Sequence, residues 1–162
     1  MHVLVRASLI ATSFAFLVPS SATAKLIMPS ASWSGTWSLN VASSKLSAPA
    51  GKRSETRVYV VKGNKLSVKA TGTDNAGKPV KYSYSGAFDG RPYPMIGNPV
   101  GDSIVLTLVN PLKANIMVKK GKIVTATATS DVSPDGKHLI LTRKTLRANA
   151  APMIDVLDFD KK

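Results

Sequence analysis

The sequence contains no cysteine. Disulfide bonds, thiolate chemistry and a lipid-modified cysteine are therefore excluded. Acidic residues are also scarce: nine Asp and Glu stand against 22 Lys and Arg, which gives a formal net charge of +13 at pH 7. The basic residues are spread along the chain, which is typical of a solvated surface. The same charge would also suit binding to anionic polymers or lipids.

Residues for acid–base catalysis are few. Beyond residue 24 the only histidine is His138, and no Asp-His-Ser spacing accompanies it. The only glutamate is Glu55, and most aspartates lie in predicted turns, where they cap backbone groups. Alternation places Asp155 on the opposite face of the last strand from Asp158 and Asp160. No phosphate-binding glycine loop or metal-ligand pattern is visible. We therefore predict no enzyme activity, no metal and no cofactor.

An apolar run with no charged residue occurs near the start, at residues 7–18. Arg6 precedes it, and Ala22-Thr23-Ala24 follows as a small-x-small site. This order is typical of a secretory signal peptide cut after Ala24. The alternative is a membrane anchor, but a helix of this run would reach only about 18 Å, short of a ~30 Å hydrocarbon core. We expect residues 1–24 to be removed and the protein to be periplasmic or extracellular.

Helical periodicity is missing after residue 25, and strand signals replace it. Short runs rich in Val, Ile, Thr and Tyr alternate with Gly, Asn and Asp turns every 10 to 13 residues or so. Residues 25–32 are expected to be a flexible segment, and residues 33–162 one domain. The predicted strands cover residues 34–41, 54–62, 65–73, 78–88, 91–96, 102–109, 113–120, 122–130, 137–147 and 152–160.

The number and spacing of these strands predict a closed barrel. Most links are short, so each strand should pair antiparallel with the next. With an even number of strands, the last can pair antiparallel with the first and leave no open edge. A two-sheet sandwich is the alternative, and only residues 42–53 offer it a long crossing. Pro92 and Pro94 predict a bulge or gap around 91–96.

The segment Gly35-Thr36-Trp37 at the start of the first strand resembles the Gly-x-Trp signature of the lipocalin and fatty-acid-binding superfamily. This resemblance implies that Trp37 plugs one end of an up-and-down barrel. It also implies that a basic residue of a late strand, Arg143 or Arg147, covers the indole through a cation–π contact.

A longer likeness covers most of the chain beyond the leader. SGTWSLNVASSKLS and FDGRPYPMIGNP resemble segments of a group of small secreted bacterial proteins of unknown function. The matching positions are Gly35, Thr36, Trp37, Leu39, Asn40 and Ser44, then Asp89, Gly90, Tyr93, Pro94, Gly97 and Pro99. Further lipocalin motifs are missing, and residues 42–53 are too few for the helical lid of fatty-acid-binding proteins.

Aromatic and charged residues of the fourth and fifth strands are the candidate ligand site. The aromatics would line a pocket mouth, and the charged pair would anchor a polar group. The alternative is that the aromatics simply pack in the core. The candidates are Tyr82, Tyr84, Phe88, Asp89, Arg91 and Tyr93.

Three functions follow from these observations. The first is an exported, monomeric, non-enzymatic protein that binds a small, largely apolar ligand in the barrel, with Arg91 or a buried lysine holding an acidic head group. The second is a basic protein with a filled barrel that binds anionic envelope polymers or lipid surfaces. An enzyme is the third and the least supported by the residues present. Export and the absence of a recognition helix argue against nucleic acid as a partner.

Overall fold

The computed structural model describes residues 26–162, so the predicted signal peptide and its cleavage site lie outside the described residues. A short 3₁₀ helix, Ala31–Trp33, precedes ten β-strands. The strands are β1 (Gly35–Lys45), β2 (Ser54–Lys62), β3 (Lys65–Thr73), β4 (Pro79–Ala87), β5 (Asp89–Ile96), β6 (Ser103–Asn110), β7 (Lys113–Lys120), β8 (Ile123–Val132), β9 (His138–Arg147) and β10 (Ala150–Lys161).

The strands form a closed antiparallel barrel in which each pairs with its neighbours in the chain. The seam between β1 and β10 closes it, with Trp37 opposite Lys161 and Leu39 opposite Phe159. The predicted up-and-down barrel is thus confirmed, and the two-sheet sandwich is wrong. No helix among residues 26–162 is long and apolar enough to span a membrane.

The first strand continues further than predicted, to Lys45, through an irregularity between Asn40 and Lys45. The Ser44 hydroxyl stabilises this irregularity: it donates to the Asn40 carbonyl at 2.6 Å and accepts from the Asp158 N–H at 3.0 Å. The Asn and Ser of the first resemblance segment are therefore part of a structural bulge.

The seam between β4 and β5 is the weakest in the wall. Only Ser83 with Ile96 and Tyr84 with Met95 pair across it. Pro92 and Pro94 cannot donate to a ladder, which agrees with the predicted irregularity of this strand. The Tyr93 ring lies against Gly86, where a Cβ would be 2.8 Å from the ring, so this side chain packs where the backbone pairing is missing.

Inward-facing apolar side chains form one core along the barrel. On β3 these are Leu66 and Val68, and on β10 they are Leu157 and Phe159, all at most 2% exposed. The 3₁₀ helix lies at one end, where the Ser30 N–H donates to the Pro111 carbonyl between β6 and β7. The predicted flexible segment 25–32 is thus tied to the barrel in its last residues.

Candidate ligand-binding site at the open end of the barrel

Two tryptophans seal the end of the barrel that carries the 3₁₀ helix, called here the closed end. Trp37 is 0% and Trp33 1% exposed. The Trp37 indole N–H donates to the Trp33 carbonyl at 2.9 Å, and that of Trp33 donates to the Pro111 carbonyl at 2.8 Å. Trp33 also stacks on Tyr59, with 6.5 Å between ring centroids. Trp37 thus lies within the seal, and Trp33, which no motif marked, extends it.

The basic residue over Trp37 is Lys161 of β10, not Arg143 or Arg147. The Lys161 Nζ lies 5.0 Å from the Trp37 ring centroid and donates to the Ser32 carbonyl at 3.0 Å. Gly35 has φ 144°, and a Cβ there would be 2.4 Å from Lys161 Cε. The glycine of Gly-x-Trp is therefore needed for the close approach of this lysine. The expectation for the two arginines is corrected, because Arg147 binds the Ala151 carbonyl and Arg143 binds Asp155.

The aromatic candidates for the ligand site are distributed along the barrel instead of forming one patch. Phe88 is buried near the closed end, with its ring centroid 6.1 Å from that of Trp33. Tyr84 is buried in the middle of the core, and burial raises its pKa. Of these three aromatic residues, only Tyr82 lines the cavity described below. Because Phe88 packs near Trp33, it belongs to the seal at the closed end.

The remaining three candidates form an exposed turn at the start of β5. The Asp89 carboxylate accepts from the Arg91 N–H at 3.0 Å and from the Tyr93 hydroxyl at 2.8 Å. These two hydrogen bonds lower the pKa of Asp89. The Arg91 side chain is 82% exposed. Asp89, Arg91 and Tyr93 shape the turn and do not line the cavity, so Arg91 is not placed to hold a head group there.

At the opposite end, called here the open end, a cavity of about 330 Å³ opens to solvent. Its walls come from the β1–β2 loop, the β3–β4 and β5–β6 turns, and the inner faces of β2, β4, β9 and β10. Apolar parts are supplied by Leu46, Val80, Val100 and Met153. A smaller void of about 60 Å³ lies against residues deeper in the barrel, among them Tyr84, Ile104 and Leu141. The volume of the larger cavity, about 330 Å³, is within the range of small-ligand pockets.

The inner face of β2 carries charge into the barrel. Successive inward positions hold Glu55, Arg57 and Tyr59, and Arg53 directly precedes the strand. Arg57 is only 5% exposed and donates from Nε to Glu55 Oε1 at 2.8 Å. Its Nη2 forms an ion pair with the same oxygen, also at 2.8 Å. The Tyr82 hydroxyl donates to the same carboxylate oxygen at 2.8 Å. The guanidinium also lies 4.6 Å from the Phe159 ring centroid.

The protonation of this cluster follows from its pairing. Burial alone would raise the pKa of Glu55, but the charge and hydrogen bonds of Arg57 hold it below its ordinary value. Burial likewise opposes the charge of Arg57, yet Glu55 keeps its pKa well above the usual range. The pKa of Tyr82 is raised, chiefly by burial. Glu55 is therefore ionised at neutral pH, and Arg57 and Tyr82 are protonated.

A second ion pair lies across the β9–β10 ladder at the open end. Arg143 and Asp155 are directly opposite in register, and Arg143 Nη2 donates to Asp155 Oδ2 at 2.6 Å. The other carboxylate oxygen accepts from both the N–H and the hydroxyl of Ser47, each at 2.8 Å. Burial opposes ionisation of Asp155, but the Ser47 and Arg143 bonds lower its pKa overall. This pair holds the β1–β2 loop against the rim.

One further cluster lies on the outer wall. The His138 Nδ1 is 3.1 Å from Asp160 Oδ1 and 3.9 Å from Asp158 Oδ1, across β9 and β10. These three side chains could each offer a metal ligand within 4.8 Å of the others. The Asp160 carboxylate also accepts from the Asn40 amide at 2.9 Å. Asp158 and Asp160 share a face as alternation predicts, but their convergence with His138 was missed, because it depends on strand register.

Comparison with known proteins identifies the fold and not a sequence family. No protein-family model matches the sequence, and no curated protein is similar to it in sequence. Among solved structures, the chain is similar to the zebrafish ileal bile acid-binding protein complexed with cholic acid. That likeness has a TM-score of 0.54 at 15% identity and covers 81% of this chain and 99% of the other.

A second similar structure is that of EF1p2_mFAP2b bound to DFHBI. Its TM-score is 0.47 at 12% identity, over 81% of this chain and 94% of the other. The first likeness and the closed ten-stranded topology together show an up-and-down, lipocalin-like barrel fold. The expected fold class is confirmed.

Proposed function

We propose that this protein is an exported, non-enzymatic carrier that binds a small, largely apolar ligand in the open end of its barrel. The observation that carries the proposal is the cavity of about 330 Å³ at one end of a barrel that two tryptophans seal at the other. A ligand can enter only from the open end, and it meets apolar side chains above a buried polar floor.

The composition of the cavity wall supports ligand binding without catalysis. Glu55 accepts hydrogen bonds from Arg57 and Tyr82, and these bonds lower its basicity. Asp155 is similarly occupied by Ser47 and Arg143. His138, the histidine of the described residues, lies on the outer wall. A general base must hold the proton that it takes from the substrate, and the lowered pKa values of Glu55 and Asp155 make both carboxylates weak bases.

Export and a monomeric state complete the proposal. The leader at residues 1–24 has the order of a cleaved secretory signal, and the GTWxLN and DGxxYPxxGxP segments are similar to those of small secreted bacterial proteins. The closed barrel supports a monomer, because closure leaves no unpaired strand edge. We place the ligand-binding end in the periplasm or outside the cell.

The alternative of a polyanion-binding surface has less support. Exposed lysines lie on several sides of the barrel, for example Lys69 on β3, Lys81 on β4, Lys120 on β7 and Lys144 on β9. A surface for an anionic polymer would require these charges on one face. That alternative also assumes a completely filled barrel, whereas a cavity of about 330 Å³ remains at the open end.

Native mass spectrometry of the exported chain tests the carrier proposal. The full sequence is expressed, and the product is analysed before and after mixing with a total lipid extract of the host. We expect a chain that begins at Lys25 and carries one equivalent of a small molecule, which organic extraction then identifies. A chain that stays empty at every lipid ratio would contradict the carrier function, and retained residues 1–24 would contradict export by cleavage.

A further inference from the structure

Ionic groups at the open end are unequally partnered. Three guanidinium groups lie at this end of the barrel. Those of Arg53 and Arg143 line the open cavity, and those of Arg57 and Arg143 line the smaller void below it. Two carboxylates, each at most 12% exposed, form short ion pairs with them: Glu55 with Arg57 at 2.8 Å, and Asp155 with Arg143 at 2.6 Å. Each carboxylate therefore has one arginine as its main partner, and Arg53 remains.

Arg53 is the least satisfied of the three arginines. Its Nη2 lies 3.8 Å from Glu55 Oε2, beyond hydrogen-bond distance, although its side chain is only 14% exposed. Burial lowers its pKa, and the positive charge of Arg143 lowers it further. Arg53 and Arg143 thus repel each other across a shared cavity. Glu55 and Asp155 raise the pKa of Arg53, but it stays below its ordinary value.

Arg143 also has unused binding capacity. Its Nη2 is engaged by Asp155, but its Nε is buried and has no hydrogen-bond partner. A buried N–H of a charged group without an acceptor is costly, and such groups are normally paired. Arg143 lines both the open cavity and the smaller void, so an acceptor on a ligand in either space lies beside this side chain.

One other acidic group reaches this cavity, and it is already occupied. Asp74 is on the rim, but its Oδ1 accepts from the Ala76 and Lys78 N–H groups of the β3–β4 turn, each at 2.9 Å. It is therefore a turn-capping residue. The remaining rim groups named above are neutral or apolar.

We propose that Arg53 and Arg143 form an anion-binding site, so that the ligand is an amphipathic acid whose carboxylate lies between the two guanidinium groups. A carboxylate offers two oxygens with about four lone-pair sites, which suits two guanidinium donors. Its apolar body contacts Val80, Val100 and Met153. This inference rests on the proposed carrier function and specifies the chemical class of the ligand.

The test compares ligands that share an apolar body and differ in charge. Isothermal titration calorimetry at pH 7.5 measures decanoate, 1-decanol and acetate against the exported chain. We expect decanoate to bind at least about tenfold more tightly than 1-decanol, which corresponds to about one charge-assisted hydrogen bond. Acetate should bind far more weakly than decanoate, because it lacks the apolar body.

Variants then locate the carboxylate. Arg53→Gln removes a guanidinium that holds no short ion pair and should reduce the preference for decanoate over 1-decanol by about tenfold. Arg143→Gln should do the same, and Arg53→Lys should retain most of the preference. Arg91→Gln makes the same charge change on the outer wall and should leave both affinities unchanged. Circular dichroism confirms that each variant is folded, and Arg53→Gln decides the test if Arg143→Gln unfolds.

The outcomes separate the two proposals. If decanoate and 1-decanol bind equally, or if Arg53→Gln behaves like Arg91→Gln, the anion site is wrong while the carrier function stands. If acetate binds as tightly as decanoate, the site binds the carboxylate alone and gains nothing from an apolar body, and the assigned ligand class is wrong. If neither ten-carbon ligand binds, both the ligand class and the carrier function are contradicted.

Discussion

Single residues at the open end determine whether the barrel interior tolerates charge. Arg57 is almost fully buried, yet its guanidinium has a carboxylate, a tyrosine hydroxyl and an aromatic ring as partners. A buried charge with such partners is acceptable, whereas the same charge without its carboxylate is strongly destabilising. Glu55 is therefore a structural counter-ion as well as part of the cavity wall.

Removing that counter-ion should destabilise the protein severely. We expect Glu55→Ala to lower the free energy of unfolding by about 3–5 kcal/mol, because it leaves Arg57 buried and unpaired. The measurement is urea unfolding followed by circular dichroism. Asp131→Ala is the matched control, since it breaks a half-exposed pair with Lys113 and should cost less than about 1 kcal/mol. Equal losses in the two variants would show that the buried pair has no special role.

The acid stability of the barrel should depend on the two carboxylates that pair with arginine at the open end, Glu55 and Asp155. The folded-state pKa values of Glu55 and Asp155 are both lowered, so at acid pH the unfolded state binds more protons than the folded state. Their stabilisation is complete above the unfolded-state pKa values of about 4 and is lost as the pH falls through the folded-state values. Urea unfolding from pH 7 to pH 2.5 should show this loss, and Asp155→Asn should flatten it. An unchanged pH dependence in that variant would contradict the assignment.

At the scale of strands, the sequence alone predicted the ten strands and the order in which they pair. Turn residues and alternation located the ten strands, mostly within two residues, because hairpin turns need glycine or asparagine at fixed places. The inward face of β2 was not recognised. Val58 and Val60 are each 42% exposed while Arg57 is buried, so on this strand two valines face outward and an arginine faces inward. The alternation of Arg53, Glu55 and Arg57 could have indicated that this charged face points inward. It was not read so because charged residues are rarely buried without partners, and some of the partners here lie on strands distant in sequence.

The bulge in β1 offers a test of a sequence segment whose role is structural. Ser44→Ala should cost about 1 kcal/mol, because it removes the hydroxyl that bridges Asn40 and Asp158. Ser43→Ala is the matched control: its hydroxyl is exposed and makes one long contact of 3.4 Å. Thermal unfolding of both variants is the measurement. If Ser43→Ala costs as much as Ser44→Ala, the bridging role is refuted.

At the scale of the whole molecule, one end is sealed and the other is open, and this asymmetry determines where function lies. The resemblance of the Gly-x-Trp segment implied a plug at Trp37, and this residue lies in the sealed end, where Lys161 and not a predicted arginine covers it. The candidate ligand residues were mostly misplaced. Asp89, Arg91 and Phe88 lie at the β4–β5 turn near the closed end, and strand direction places the cavity at the other end. Which end stays open depends on side-chain volumes summed over all strands, and a single sequence does not display that sum.

The most direct test of the account is whether an apolar molecule enters the open end. A fluorescence titration with the neutral dye Nile red measures this in the wild type and two variants of β9. Thr145 lines the cavity, and Thr142 on the same strand is exposed. We predict saturable binding to the wild type and to Thr142→Trp, and at least about a tenfold loss in Thr145→Trp, whose indole would occupy the mouth. Equal affinities in all three proteins, or no binding to any, would contradict a ligand site at this end.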